Sequence, residues 1–255
     1  MAVGFFTDTT ICIGCKACEV ACKEWNQLPD DGLLFTGMSY DNTGDLGAST
    51  WRHVSFIERP VPLTGQETGL GNFSWLLMSD VCKHCQRAGC LEACPTGAII
   101  RTEFDSVYVQ PDICNGCGYC VVSCPFGVID RRPDDGRAFK CTFCYDRQKA
   151  GQQPACATAC PTQSIQFGDL EELRTRAEQR LIDLRGRGVD DAVIYDPRHT
   201  SVGGTHAIFL VRGALEEYNL PANPEVPTIR LGVAWRSAGL ASAALIAVTV
   251  IAFFI

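Results

Sequence analysis

Residues 114–125 read CNGCGYCVVSCP: cysteines at 114, 117, 120 and 124, separated by two, two and three residues, with a proline directly behind. The same rhythm returns in residues 12–26, CIGCKACEVACKEWN, where Cys12, Cys15, Cys18 and Cys22 are followed by Lys23 instead of proline. Two looser versions complete the set. Cys82, Cys85, Cys90 and Cys94 precede Pro95, and Cys141, Cys144, Cys156 and Cys160 precede Pro161. The four groups use all sixteen cysteines of the 255-residue chain, an internal repeat that dominates its organisation.

Three chemistries compete for these thiols. Structural disulfides belong to oxidising compartments and small secreted domains, and the N-terminal MAVGFFTDTTIC shows neither a basic nor a long apolar segment of the secretory kind. Zinc takes two CxxC pairs per tetrahedral site, with a longer gap between the pairs; a zinc-stabilised interaction module is the reading of another class. The x2, x2, x3 spacing with proline is the run of bacterial ferredoxins, which binds [4Fe–4S] clusters and lends its fourth cysteine to the neighbouring cluster. Three closely spaced thiolates can reach three corners of one cubane, and proline then fixes φ and removes a donor, steering the chain away. Acid-labile sulfide and a brown colour separate iron–sulfur clusters from colourless zinc.

The two-cluster rule predicts the pairing. The second and third groups, joined by a short connection, form one unit: Cys82, Cys85, Cys90 and Cys124 hold one cluster, and Cys114, Cys117, Cys120 and Cys94 the other. The first and fourth groups pair across it: Cys12, Cys15, Cys18 and Cys160 on one cluster, Cys141, Cys144, Cys156 and Cys22 on the other. The expected fold class is α+β, with two ferredoxin-like units, one inserted in the other, and one C-terminal transmembrane helix. Residues 1–25 and 126–168 form the outer unit, 26–75 an insertion that is exposed or covered by a partner, and 76–125 the inner unit. Residues 169–212 pack helix and strands on the outer unit, 213–236 are a surface linker, and 237–255 span the membrane.

Local patterns fill in the outline. Ile99–Thr102 and Val107–Val109 flank a polar turn and read as a hairpin. Trp51–Ile57, Ala192–Tyr195 and His206–Val211 read as strands. In the segment GDLEELRTRAEQRLIDLRGRG, Leu170, Leu173, Ala177, Leu181 and Leu184 share one helical face, Asp169 with Glu172 fits a capping box, and Gly186 or Gly188 ends the helix. Lys23 in place of proline lets a helix continue through Glu24 and Trp25. Residues 237–255, SAGLASAALIAVTVIAFFI, carry no charge and as a helix extend about 28 Å, close to the hydrocarbon thickness of a bilayer. Arg230 and Arg236 precede them, and Trp235 suits the interface.

The net charge of −7 and the lack of Lys/Arg runs argue against nucleic acid as a partner. No nucleophile–base set, phosphate-binding glycine loop or carboxylate pair stands out, so no catalytic site is expected. His84, inside CKHC, either tunes a cluster potential or, the preferred reading, is a solvent-facing loop residue. His53, His199 and His206 form no metal pattern. Lys16, Lys83, Lys140 and Lys149 lie near the cysteines and either tune cluster potentials or are surface charge.

The segments CIGCKACEVACKEWN, CKHCQRAGCLEACPTGAI, CNGCGYCVVSCPFGVI, KCTFCYDRQKAGQQPACATACPTQSI and IYDPRHTSVGGTHAIFLV resemble, over nearly the whole length, the four-cluster subunits of membrane-bound molybdopterin oxidoreductases. The CKEWN ending, the YDP…VGGTH segment and the single span are most similar to the β subunits of respiratory formate dehydrogenases. The cysteine groups alone are shared with equivalent subunits of hydrogenases and other molybdopterin reductases. The resemblance implies a non-catalytic electron-transfer subunit of an oxidoreductase complex. Four [4Fe–4S] clusters would carry electrons from a catalytic α subunit with a molybdenum or tungsten bis-pterin cofactor to a membrane cytochrome b γ subunit and quinone. It also implies a plasma-membrane location with the cluster domain on the periplasmic side, exported folded under the partner's twin-arginine signal. The two arginines before the span would by themselves favour the cytoplasmic side.

Overall fold

The computed structural model describes residues 2–32, 37, 40–59 and 74–254. Its centre is a four-stranded sheet built from distant parts of the chain. The N-terminal strand β1 (Val3–Asp8) and helix α1 (Ala17–Asn26) come first. The strand β2 (Arg52–Arg59) pairs antiparallel with β3 (Ser74–Val81) in a separate two-stranded ribbon. The short helix α2 (Gly89–Glu92) leads to the hairpin β4 (Ile99–Arg101) and β5 (Val107–Val109), and then to α3 (Tyr119–Val122). A small ribbon, β6 (Asp130–Arg131) and β7 (Ala138–Phe139), precedes α4 (Tyr145–Lys149) and α5 (Ala155–Thr158). The chain then returns as β8 (Ile165–Asp169), α6 (Leu170–Gly186), β9 (Ala192–Tyr195) and β10 (Ala207–Arg212), and ends in α7 (Leu231–Phe254). Helix and strand are mixed, as expected for an α+β chain.

The sheet order is β8-β1-β10-β9, with β1 parallel to β10 and antiparallel to β8. Strand alternation decides what each face covers. Phe6, Ile208 and Leu210 point to one side, where α6 lays Leu170, Leu173, Ala177 and Leu184 on them. Phe5, Ala207, Phe209 and Val211 point to the other, into a core shared with Cys18, Cys22, Cys82, Cys141 and Cys156. The sheet thus separates a helix from the cysteine layer. Gly4 of β1 leaves no room for a side chain between sheet and helix: a Cβ there would lie 2.6 Å from Leu170 Cδ1 and 2.8 Å from the His206 carbonyl oxygen.

Helix α6 has the bounds its pattern implied. The Asp169 side chain accepts from the Glu171 and Glu172 amides at 3.0 and 3.2 Å, one half of a capping box. Beyond Gly186, Gly188 takes a left-handed φ of 81° while the Val189 amide donates back to the Leu184 carbonyl. Asp169→Ala should cost the helix about 1 kcal/mol, read as faster amide exchange at Glu171 and Glu172 with no change at Leu184.

Three expectations change. Part of the insertion, residues 33–36, 38–39 and 60–73, lies outside the described residues, but the start of its ribbon is not exposed: Trp51, Arg52, His53 and Val54 are buried, Trp51 and Val54 in the core shared with the cysteines. The segment after β10 is more than a surface linker, because Tyr218, Leu220 and Val226 are buried, with the Tyr218 hydroxyl donating to the Arg212 carbonyl at 2.9 Å. Prolines 221, 224 and 227 hold this segment extended while alternate apolar side chains turn inward. The terminal helix starts at Leu231, not at residue 237, since Arg236 on an exposed helix gives the backbone no reason to stop. Pro227–Phe253 is long and apolar enough to cross a membrane, and no part of its most apolar stretch is buried against the rest of the described residues.

Candidate iron–sulfur sites

Each cysteine group begins with a loop of one shape. In all four CxxC segments the residue before the second cysteine has a left-handed φ: 65° at Gly14, 43° at His84, 72° at Gly116 and 60° at Phe143. A left-handed residue in such a loop turns successive backbone N–H groups into one concavity, a nest for an anionic group. The Phe143 amide, for instance, donates to Cys141 Sγ at 3.3 Å. Glycine makes this cheap at two of the loops, whereas His84 and Phe143 hold it by packing on each other, their rings 4.0 Å apart.

The third cysteine is in every case the second residue of a helix: Cys18 in α1, Cys90 in α2, Cys120 in α3 and Cys156 in α5. In three groups the helix stops within four residues, and the fourth cysteine precedes a proline. In the first, Lys23 carries the helix on to Asn26, so Cys22 stays within it. The Lys23 ammonium reaches the Pro29 and Ser49 carbonyls at 3.2 and 3.1 Å and ties both ends of the intervening loop to α1.

The fourth cysteines then cross. One cavity is lined by Cys12, Cys15, Cys18 and Cys160, and a second by Cys22, Cys141, Cys144 and Cys156. A third is lined by Cys82, Cys85, Cys90 and Cys124, and a fourth by Cys94, Cys114, Cys117 and Cys120. Among the described residues no three His, Cys, Asp or Glu side chains converge on a single-ion site; the sulfurs instead ring a space.

The surroundings fit an anionic group in that space. Burial pushes the Cys18 and Cys90 thiols up to about 12 and those of Cys22, Cys85 and Cys141 well upward. Such thiols are inert unless a metal displaces their protons. Of the buried polar atoms that find no partner among the described residues, Arg52 Nε and His84 Nε2 belong to side chains that line the cavities. His84 is therefore not the solvent-facing residue expected. It is 1% exposed, accepts from the Val107 amide through Nδ1 at 3.1 Å, and is kept neutral by burial first and by Lys140 next.

Lys83 and Lys140 are buried as well, against the surface-charge alternative, whereas Lys16 pairs with Glu19 and Asp41 at 3.4 and 3.2 Å and Lys149 is exposed. Burial pulls the Arg52 guanidinium down, and the Cys156, Cys18 and Cys141 charges more than reverse it. Lys140 behaves alike, lowered by burial and raised further by Cys82, Cys90 and Cys141. Nothing in the local sequence flagged Arg52. The remaining histidines are structural or exposed: His53 bonds Asp41 at 2.9 Å, His206 bonds the Val3 carbonyl at 2.8 Å, and His199 is on the surface.

Four repeated loops with crossed fourth cysteines define an iron–sulfur protein of the dicluster ferredoxin kind, and residues 11–98 and 73–170 each match the 4Fe-4S dicluster domain. The chain is 44% identical over 223 residues to the formate dehydrogenase-O iron–sulfur subunit of Escherichia coli, covering 86% of this chain and 71% of that one. It is equally identical to the formate dehydrogenase iron–sulfur subunit of Haemophilus influenzae, covering 68% of it. It is 32% identical over 173 residues to one component of the anaerobic dimethyl sulfoxide reductase of Escherichia coli, covering 68% of this protein and 76% of that component. The chain belongs to the family of formate dehydrogenase iron–sulfur subunits. It is an electron-transfer subunit, and its cofactors are [4Fe–4S] clusters, four for sixteen cysteines.

Proposed function

We propose that each cavity holds one cubane on the four cysteines that line it, and that the chain conducts electrons between a catalytic molybdenum or tungsten subunit that oxidises formate and a membrane cytochrome b subunit that reduces quinone. When bound, each cluster takes up and gives back one electron. The observation that carries the reading is the crossing of the fourth cysteines between loops of one repeated shape. It also supports the nested arrangement. The two family matches divide the chain along its sequence, but the first and fourth groups share two cavities, the second and third share two, and β1 pairs with β8 to bring the outer ends together.

Neighbouring charges support a linear order. Cys156 acts on Cys18, Cys82 on Cys141 and Cys120 on Cys90. The cavities therefore run from that of Cys12, through that of Cys141 and that of Cys82, to that of Cys114. The end cavities each present one exposed cysteine, Cys15 and Cys117. The membrane lies at the Cys114 end in this reading: Val226 packs with Cys85 and Cys120, and Thr228 donates to Glu92 of α2, immediately before α7. The cluster domain is assigned to the periplasmic face by resemblance to the respiratory enzymes.

In anaerobically purified complex this chain should account for about sixteen acid-labile sulfide and as many iron, four of each per cubane, apart from the haem iron of the cytochrome b partner. Zinc without labile sulfide would replace this reading by the zinc-stabilised module.

A further inference from the structure

Arg52 and Lys140 are buried cations that make no ion pair with Asp or Glu among the described residues. Arg52, 1% exposed, donates from Nη1 to the Ser79 carbonyl at 3.2 Å and from Nη2 to Cys156 Sγ at 3.3 Å, and lies over the Phe5 ring at 4.6 Å. Lys140, 2% exposed, donates from Nζ to the carbonyls of Val107 and Cys141, the latter at 3.1 Å. Lys83 is buried to the same degree, but Asp80 neutralises it. An unpaired buried charge is costly enough that it persists only beside an opposite charge. For Arg52 and Lys140 the opposite charges within reach are thiolates and whatever they ligate.

Both cations stand between two cavities. Arg52 lines the cavity of Cys22, Cys141, Cys144 and Cys156, and through Ser79 it also reaches the neighbouring one: Nη1 is 3.5 Å from Ser79 Oγ, which is 3.2 Å from Cys18 Sγ. Lys140 lines the cavity of Cys82, Cys85, Cys90 and Cys124 and is joined by its own peptide to Cys141 of the next. Among the described residues no lysine or arginine lines the cavity of Cys94, Cys114, Cys117 and Cys120. A thiolate-ligated cluster is more negative after it accepts an electron, so a fixed cation beside it favours the reduced form and raises its potential.

We infer that Arg52 and Lys140 are the counter-charges of the electron path. As positioning residues, they raise the potentials of the three clusters at the Cys12, Cys141 and Cys82 cavities, with the Cys141 cluster flanked by both. The inference rests on the cluster assignment proposed above.

Potentiometric EPR titration of the whole anaerobically purified complex tests it, with iron and sulfide counted on the same samples. In Arg52→Met two of the four midpoint potentials should fall by at least a tenfold change in the one-electron equilibrium, about 59 mV. Arg52→Lys should restore most of the fall. In Lys140→Met two potentials should again fall, and one of them should be a cluster that Arg52→Met also moves. Full iron with four unmoved potentials overturns the inference and leaves the cluster assignment standing. So does an equal fall in Arg52→Lys, or the lack of a shared cluster. If Arg52→Met fails to assemble, Lys140→Met decides alone, and unmoved potentials there overturn the inference. Wild-type complex without four clusters overturns the assignment itself.

Discussion

Cys22→Ala should remove one cluster and leave its sequence neighbours' cluster in place. Cys12, Cys15 and Cys18 are closest to Cys22 along the chain, yet they share their cavity with Cys160, while Cys22 lines the cavity of Cys141, Cys144 and Cys156. The substitution should lower the chain's cluster iron by about a quarter, one cubane in four, and abolish the EPR signal of the Cys141 cluster. The Cys12 cluster should keep its signal. Because the lost cluster is second in the proposed order, formate-to-quinone turnover should drop to background, while formate oxidation by an artificial dye acting at the catalytic subunit persists. Loss of the Cys12 signal with the Cys141 signal intact would refute the crossing. Cys160→Ala is the reciprocal case and should spare the Cys141 cluster.

The spacing of the cysteines carries the proposed site assignment because it reflects a local constraint. A two-residue gap suits one nest, and a fourth cysteine beyond a short helix points away from that nest. The change from proline to Lys23 was readable for the same reason, since proline acts on the residue beside it. What the sequence left dark depends on distant partners. Gly14 and Gly116 announce a left-handed turn, but His84 and Phe143 do so only through mutual packing on residues from another part of the fold. Arg52 looks like the opening of an amphipathic strand. Its burial follows from the β2–β3 ribbon lying across the cysteine layer, against Ser79 and Cys156. Val226 likewise reads as one apolar residue among prolines, and only the groove beside Cys85 and Cys120 makes it a core residue.

The terminal helix separates anchoring from folding, and ending the chain after Arg230 exploits this. The helix Leu231–Phe254 has 24 residues, about 36 Å at the α-helical rise and enough for a hydrocarbon core of about 30 Å. Every described side chain from 231 to 253 is exposed, so the cut opens no cavity in the cysteine layer. It also keeps Val226, with its amide bonded to Ser201 Oγ at 2.7 Å, and the Thr228–Glu92 contact. The shortened chain should therefore lose membrane attachment of its own, leaving only what the partner subunits provide, and should keep its full iron content. Ending the chain after Gly213 is a different experiment. It strips Tyr218, Leu220 and Val226 from the core, and each large buried side chain removed costs on the order of 2–5 kcal/mol, so cluster content should collapse together with solubility. Fractionation and iron analysis on the two truncations distinguish an anchor that merely follows the folded unit from one that holds it together. Iron lost at Arg230 would show that the helix braces the Cys114 end of the path.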